Sequence, residues 1–296
     1  MPDPKVSYNR TRIAPTPSGF LHIGNVLSFA ITATLAKHSG AKILLRIDDI
    51  DQARADKQYV QDIFDTLNFL EIPWDEGPRN LKEFEGNYSQ IHWMELYNGP
   101  LSQLRGKGLI YACNCSRKQL SESICRCEEK QLSLDADNVS WRLITSPDKK
   151  LIVKAYNGEL RETELPVEMN NFVVRKKDGF PSYQLTSVID DLRYDVDLVV
   201  RGEDLWQSTL AQHQLALSLG AGGFSQITFY HHPLIKDSSG NKLSKSAGAT
   251  SVKYLREQGK SASDIYQLIG NIMGSKKIIS SWSQLADVIL AGERKI

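Results

Sequence analysis

Apolar positions along the chain recur at two spacings. Thr11-Arg-Ile-Ala is a short run stopped by the turn chemistry of Pro15-Thr-Pro-Ser-Gly, which predicts a strand and then a loop. Ile23, Val26, Leu27, Ala30, Ile31 and Leu35 then follow helical spacing, predicting a helix from Leu21 to about Lys37 that Gly40 closes. Lys42-Ile-Leu-Leu-Arg-Ile-Asp-Asp reads as a buried strand with acids at its carboxyl end. Strand, helix and strand at this spacing form a βαβ unit, which implies a parallel sheet with a right-handed crossover. Helical periodicity returns from Gln58 to Leu70, carried by Val60, Ile63, Phe64, Leu67 and Leu70. From Ser102 to about Asn171 the pattern becomes short, polar and mixed, as expected of an insertion with several β segments. The βα pattern resumes with the strand Asp197-Leu-Val-Val, a helix from Ser208 to Leu219 and the strand Ile227-Thr-Phe-Tyr. Past Ser251, Leu255, Ile265, Leu268 and Ile269 predict a helical end.

The expected architecture is therefore α/β: a doubly wound parallel sheet split by an insertion, with a helical C-terminal segment. Its divisions are 1–101 and 195–250 for the two halves of the core, 102–194 for the insertion and 251–296 for the helical segment.

Composition narrows the class. With 41% hydrophobic and 24% charged residues in 296, the chain can bury a core, and disorder is excluded. No apolar run is long enough to span a bilayer, and no apolar signal region follows Met1, so a cytoplasmic protein without a membrane partner is expected. A net charge of +1 excludes a polycation. An RNA partner would need a local patch, for which Lys253, Arg256, Lys260, Lys276 and Lys277 are candidates. All four cysteines fall between Cys113 and Cys127. Cys113, Cys115, Cys125 and Cys127 suit a tetrahedral structural zinc; reduced thiols or a redox pair are the alternatives.

Two motifs carry the chemistry. The first, Pro15-Thr-Pro-Ser-Gly19-Phe-Leu-His22-Ile-Gly24-Asn25, lies between the first strand and the first helix. Nucleotides bind there in such sheets, with phosphate against the helix N-terminus. His22 can donate to phosphate oxygens, and Gly24 permits close approach of a ribose or adenine. The second, Lys242-Leu-Ser-Lys245-Ser246, sits in a Gly/Ser-rich loop and offers two cations to a triphosphate. Singly, each is matched by an ordinary turn or a solvated basic loop. His231 and His232 receive no role.

Together the motifs resemble the paired signatures of class I aminoacyl-tRNA synthetases, His-Ile-Gly-His and Lys-Met-Ser-Lys-Ser, with Asn25 and Leu243 as departures. Arg12-Ile-Ala-Pro-Thr-Pro-Ser-Gly, Leu45-Arg-Ile-Asp-Asp-Ile-Asp, Trp74-Asp-Glu-Gly-Pro, Arg175-Lys-Lys-Asp-Gly-Phe-Pro-Ser-Tyr-Gln-Leu, Val188-Ile-Asp-Asp and Val200-Arg-Gly-Glu-Asp look like glutamyl-tRNA synthetase. The chain stops at Ile296, where that family continues into an anticodon-binding domain. In this it resembles the glutamyl-Q tRNA(Asp) synthetase family.

The resemblance implies a Rossmann-type core with a zinc knob in the insertion, acting as a monomer. It implies ATP-dependent formation of glutamyl-adenylate, with magnesium accompanying ATP, and transfer of glutamate to the queuosine base of tRNA(Asp). It makes His22, Lys242 and Lys245 catalytic, and Pro15, Gly19, His22, Gly24, Asn25 and Lys245 the ATP site. The glutamate site comprises Arg12, Ala14, Thr16, Asp48, Tyr183 and Arg201. The family usually has Glu where Asp48 stands; the shorter side chain is still expected to bind the ammonium, directly or through a water. Arg201 reads the side-chain carboxylate, with an ion pair to Glu203 or Asp204 as the structural alternative. Alternative outcomes are charging of tRNA(Glu) and a non-catalytic tRNA-binding paralogue.

Overall fold

The computed structural model describes residues 7–122, 124–146, 149–235 and 251–292, so Lys242 and Lys245 lie outside the described residues. The chain begins β1 (Arg10–Ile13), α1 (Ile23–Ser39), β2 (Lys42–Leu45), α2 (Lys57–Phe69) and the single turn α3 (Leu81–Glu83). It continues through α4 (Met94–Gly106), β3 (Ile110–Cys113), α5 (Arg117–Glu122), β4 (Ser140–Leu143), β5 (Leu151–Ala155), β6 (Leu160–Thr163) and β7 (Val173–Arg175). The last part holds α6 (Tyr183–Arg193), β8 (Leu198–Gly202), α7 (Trp206–Leu219), β9 (Thr228–His232), α8 (Val252–Glu257), α9 (Ala262–Ile272) and α10 (Trp282–Gly292).

Two compact units result: Met1–His92 with Val196–Asp204 and Phe229–Ile296, and Trp93–Asp195 with Leu205–Thr228. In the first, strands lie in the order β2-β1-β8-β9, and β1 pairs in parallel with both β2 and β8. The βα pattern read from the sequence is thus an α/β fold with a parallel sheet and a helical C-terminal part. Helix α1 is apolar all round because both faces are covered, by β1, β2 and β8 on one side and α10 on the other. Val26, Leu27, Ala30 and Ile31 are fully buried, each of the larger three contributing roughly 2 kcal/mol. Gly40 ends α1 in the left-handed region (φ 78°), its N–H donating to Ala36 O.

Strand β2 stops at Leu45 and does not run on to Asp49 as the apolar pattern suggested. Beyond it the chain is irregular but still fastened: Arg46 N–H donates to Ile13 O and Asp48 N–H to Pro15 O, both at 2.9 Å. Likewise α1 starts at Ile23, not Leu21, because His22 is its cap. Trp74-Asp-Glu-Gly-Pro edges the sheet. Asp75 Oδ2 accepts from Ile43 N–H at 2.7 Å, and Glu76 O accepts from Leu45 N–H at 2.9 Å. Gly77 has φ 98°, and a Cβ there would lie 2.2 Å from Leu45 O. Gly77→Ala is therefore expected to lower stability by roughly 3 kcal/mol, read from denaturant unfolding. A loss below about 1 kcal/mol would show that this edge relaxes freely.

The second unit contains an antiparallel sheet in the order β3-β4-β7 and the antiparallel hairpin β5–β6. Tyr97 on α4 donates to both carboxylate oxygens of Asp190 on α6, at 2.9 and 3.1 Å. Gln103 Nε2 donates to Leu219 O at the end of α7. Among the described residues, no helix is long and apolar enough to cross a membrane.

Candidate active site and metal centre

The carboxyl ends of β1, β2 and β8 lead into the segments where the sequence had located its candidates. After β1, Pro15 is buried, Ala14 and Gly19 are half-buried and Thr16 is exposed. His22 caps α1: its Nδ1 accepts from Gly24 N–H at 3.1 Å, and its own N–H donates to Asn25 Oδ1 at 3.0 Å. This reciprocal pair is a capping box. It gives Asn25 a structural task that the motif comparison could not supply. It also fixes the His22 tautomer, since a neutral ring accepting at Nδ1 carries its hydrogen on Nε2. Nε2 is then a donor, the polarity a phosphate oxygen requires. A Cβ on Gly24 would lie 2.9 Å from His22 Cε1, so the ring of His22 itself already demands glycine there.

Arg12, Asp48 and Arg201 are all buried, at 6%, 5% and 4% exposure. Arg12 Nη1 donates to Val200 O at 3.3 Å on the neighbouring strand. Asp48 is held by a residue that sequence reasoning missed. Arg46, also 5% exposed, donates to its two oxygens at 2.7 and 3.1 Å. This fork takes two of the roughly four acceptor positions of the carboxylate. The available signal was the i, i+2 spacing, which puts both side chains on one face of an extended segment. The Arg201 guanidinium sits 5.0 Å from the centroid of the Phe229 ring.

His232, at the carboxyl end of β9, is also buried. Its Nδ1 donates to Pro233 O at 2.9 Å, and burial holds its pKa below the ordinary histidine value. The neutral ring therefore presents an acceptor at Nε2, which has no hydrogen-bond partner among the described residues. Tyr183 belongs to the second unit, where it opens α6 at 36% exposure.

That unit also holds the four cysteines. Cys113 and Cys127 are buried, and the sulfurs pair at 3.5 Å (Cys113–Cys125) and 3.4 Å (Cys115–Cys127). All four lie within 4.8 Å of one another. A tetrahedral ion bound at ~2.3 Å holds its sulfurs roughly 3.8 Å apart, so the set fits a metal ion with small adjustments. Burial pushes the Cys115 thiol up to about 12. Burial also opposes ionisation of Cys127, yet the Asn114 backbone and the neighbouring thiols outweigh it and bring Cys127 down to about 7.

The first unit thus combines a capped helix start after β1 with buried arginines on β1 and β8 of a parallel sheet. The solved structures agree on the fold. A glutamate tRNA ligase from Elizabethkingia meningosepticum superposes with a TM-score of 0.70 at 21% identity, covering 95% of this chain and 64% of that one. A Mycobacterium tuberculosis methionyl-tRNA synthetase gives 0.53 at 11% identity, over 89% and 64%. The chain belongs to the family described as tRNA synthetases class I (E and Q), catalytic domain, whose model matches residues 9–277. It is 32% identical to a glutamyl-Q tRNA(Asp) synthetase of Synechococcus sp. (strain CC9605), over 94% of this chain and 86% of that protein. It is 30% identical to glutamate–tRNA ligase 2 of Syntrophus aciditrophicus (strain SB), over 93% of this chain but only 60% of that protein.

Proposed function

We propose that the protein activates glutamate with ATP and transfers it to tRNA. The observation that carries this reading is the burial of Arg12, Asp48 and Arg201 in a unit that also holds the capped His22 turn, in a chain of the E-and-Q family. Arg201 pairs with the side-chain carboxylate of glutamate. Arg12 orients the substrate, with Ala14 and Thr16 lining it. Asp48, held rigid by Arg46, receives the substrate ammonium, directly or through a water. ATP lies along Pro15 to Asn25, with His22 Nε2 donating to a phosphate oxygen.

The glutamate α-carboxylate attacks the α-phosphorus, the bond to the bridging oxygen breaks, and pyrophosphate leaves. Lys242 and Lys245 stabilise the departing charge, and magnesium enters as the counter-ion of ATP. The acceptor hydroxyl then attacks the acyl carbon, losing its proton as AMP departs. Catalysis is by positioning and electrostatics, with no covalent enzyme intermediate.

The cysteine set is assigned to one structural zinc. Purified protein from metal-replete expression is expected to hold about one zinc per chain, and a Cys125→Ser/Cys127→Ser variant to hold essentially none. Less than half an equivalent in the wild type, or zinc kept by the variant, contradicts the four-thiolate site.

For the acceptor we assign the queuosine base of tRNA(Asp), supported by the match to the glutamyl-Q relative across 94% of this chain. Labelled glutamate and ATP are incubated with tRNA(Asp) that carries or lacks queuosine, and with tRNA(Glu). Label confined to queuosine-containing tRNA(Asp) is expected. Label on tRNA(Glu) instead establishes the reading that the Syntrophus relative suggests. RNA binding should weaken steeply with salt if the exposed Lys253, Lys260, Lys276 and Lys277 contribute.

A further inference from the structure

The backbone of Leu21, the residue before His22, is held from two sides. Its N–H donates to Asp62 Oδ2 on α2 at 3.0 Å. Its carbonyl accepts from Val252 N–H, at the start of α8, at 2.8 Å. His22 then forms an isolated antiparallel bridge with Ser251. Just before Leu21, the Lys253 ammonium stands 4.3 Å from the centroid of the Phe20 ring.

Asp62 is only 5% exposed. Withdrawing a carboxylate from water is unfavourable unless the group is used, and an apolar side chain on the inner face of α2 would avoid that cost. Asp62 accepts from the peptide that delivers His22 to the helix start, with the Arg256 and Lys253 cations also acting on its carboxylate. A donor aimed at a phosphate must be fixed to within a fraction of an ångström to act.

We propose that Asp62 and the Val252 N–H are positioning groups for adenylate formation, clamping the Leu21–His22 peptide so that His22 Nε2 meets the phosphate. This rests on the glutamate-activating reading above. Neither group touches substrate; both act through Leu21.

Val252→Pro is the sharpest test. Val252 is the first residue of α8, where helices accept proline, and Ser251 before it (φ −72°, ψ 142°) already has the extended conformation proline imposes on its predecessor. The change removes the N–H, places Cδ against Leu21 O and replaces a fully buried side chain, so it displaces the Leu21 peptide and its melting temperature is read beside kcat. Asp62→Ala removes the opposite hold, and Asp62→Asn restores an uncharged acceptor. In glutamate-dependent ATP–pyrophosphate exchange, kcat of Val252→Pro and Asp62→Ala should fall by about ten-fold or more, with the glutamate KM within about two-fold. Asp62→Asn should recover most of the loss, and the melting temperatures should not track kcat. Unchanged kcat in Val252→Pro and Asp62→Ala, or losses that follow melting temperature and are not recovered by asparagine, overturns the proposal. A wild type without exchange defeats the parent reading instead. ATP affinity by calorimetry then becomes the readout, and equal affinity in wild type and Val252→Pro overturns the clamp, whereas weaker affinity in the variant upholds it.

Discussion

Arg201→Gln is expected to reduce kcat/KM for glutamate by about 10²–10³-fold while the KM for ATP changes little. Arg201 is 4% exposed on β8, with its guanidinium over the Phe229 ring. A substrate carboxylate brought there leaves water and needs a full positive charge in return. Glutamine supplies hydrogen bonds but no charge, so the bound carboxylate stays largely uncompensated. The same logic disfavours glutamine as substrate, whose amide would face a cation. The competing view makes Arg201 a structural partner of Glu203 or Asp204. It predicts the opposite division: a lower melting temperature with glutamate kinetics nearly intact. Steady-state kinetics beside thermal unfolding separates the two.

Lys245→Ala is expected to lower the exchange rate by about 10²–10³-fold with the fold unchanged. Lys245 lies outside the described residues, and its assignment comes from the Lys-Leu-Ser-Lys-Ser motif. The chain shortly after it does return to the phosphate turn: Val252 N–H donates to Leu21 O, and Ser251 bridges His22. A cation acting mainly on the departing pyrophosphate contributes more in the transition state than in the ground state. The loss should therefore appear in kcat, with a modest change in the KM for ATP. Turnover equal to wild type would remove this lysine from the mechanism.

The elements around the site were readable because their signals are local. The helical spacing from Ile23 to Leu35, Gly40 as its stop and the apolar run of β2 each depend on near neighbours. The cysteine cluster was readable for the same reason, being short in sequence and close in space. Partnerships made across the fold were not. Arg46 and Asp48 share one face of an extended segment, but the course of that segment beyond β2 is set by distant residues, Ile13 and Pro15, which hold its backbone. Nothing in the helical spacing from Val60 to Leu70 singles out Asp62, whose role as a buried acceptor depends on Leu21, 41 residues away in the chain. Asn25 read as a departure from a signature, while in the structure it completes the cap of α1. The role of Trp74-Asp-Glu-Gly-Pro was also hidden, because pairing with β2 is a long-range event.

Activation of glutamate is measured most directly by ATP–pyrophosphate exchange. Wild-type protein, purified with zinc, is assayed with each standard amino acid in turn, with and without bulk tRNA. Exchange with glutamate is expected to lie far above that with every other amino acid, glutamine included. No exchange in either condition, or exchange driven equally by glutamine, would contradict it.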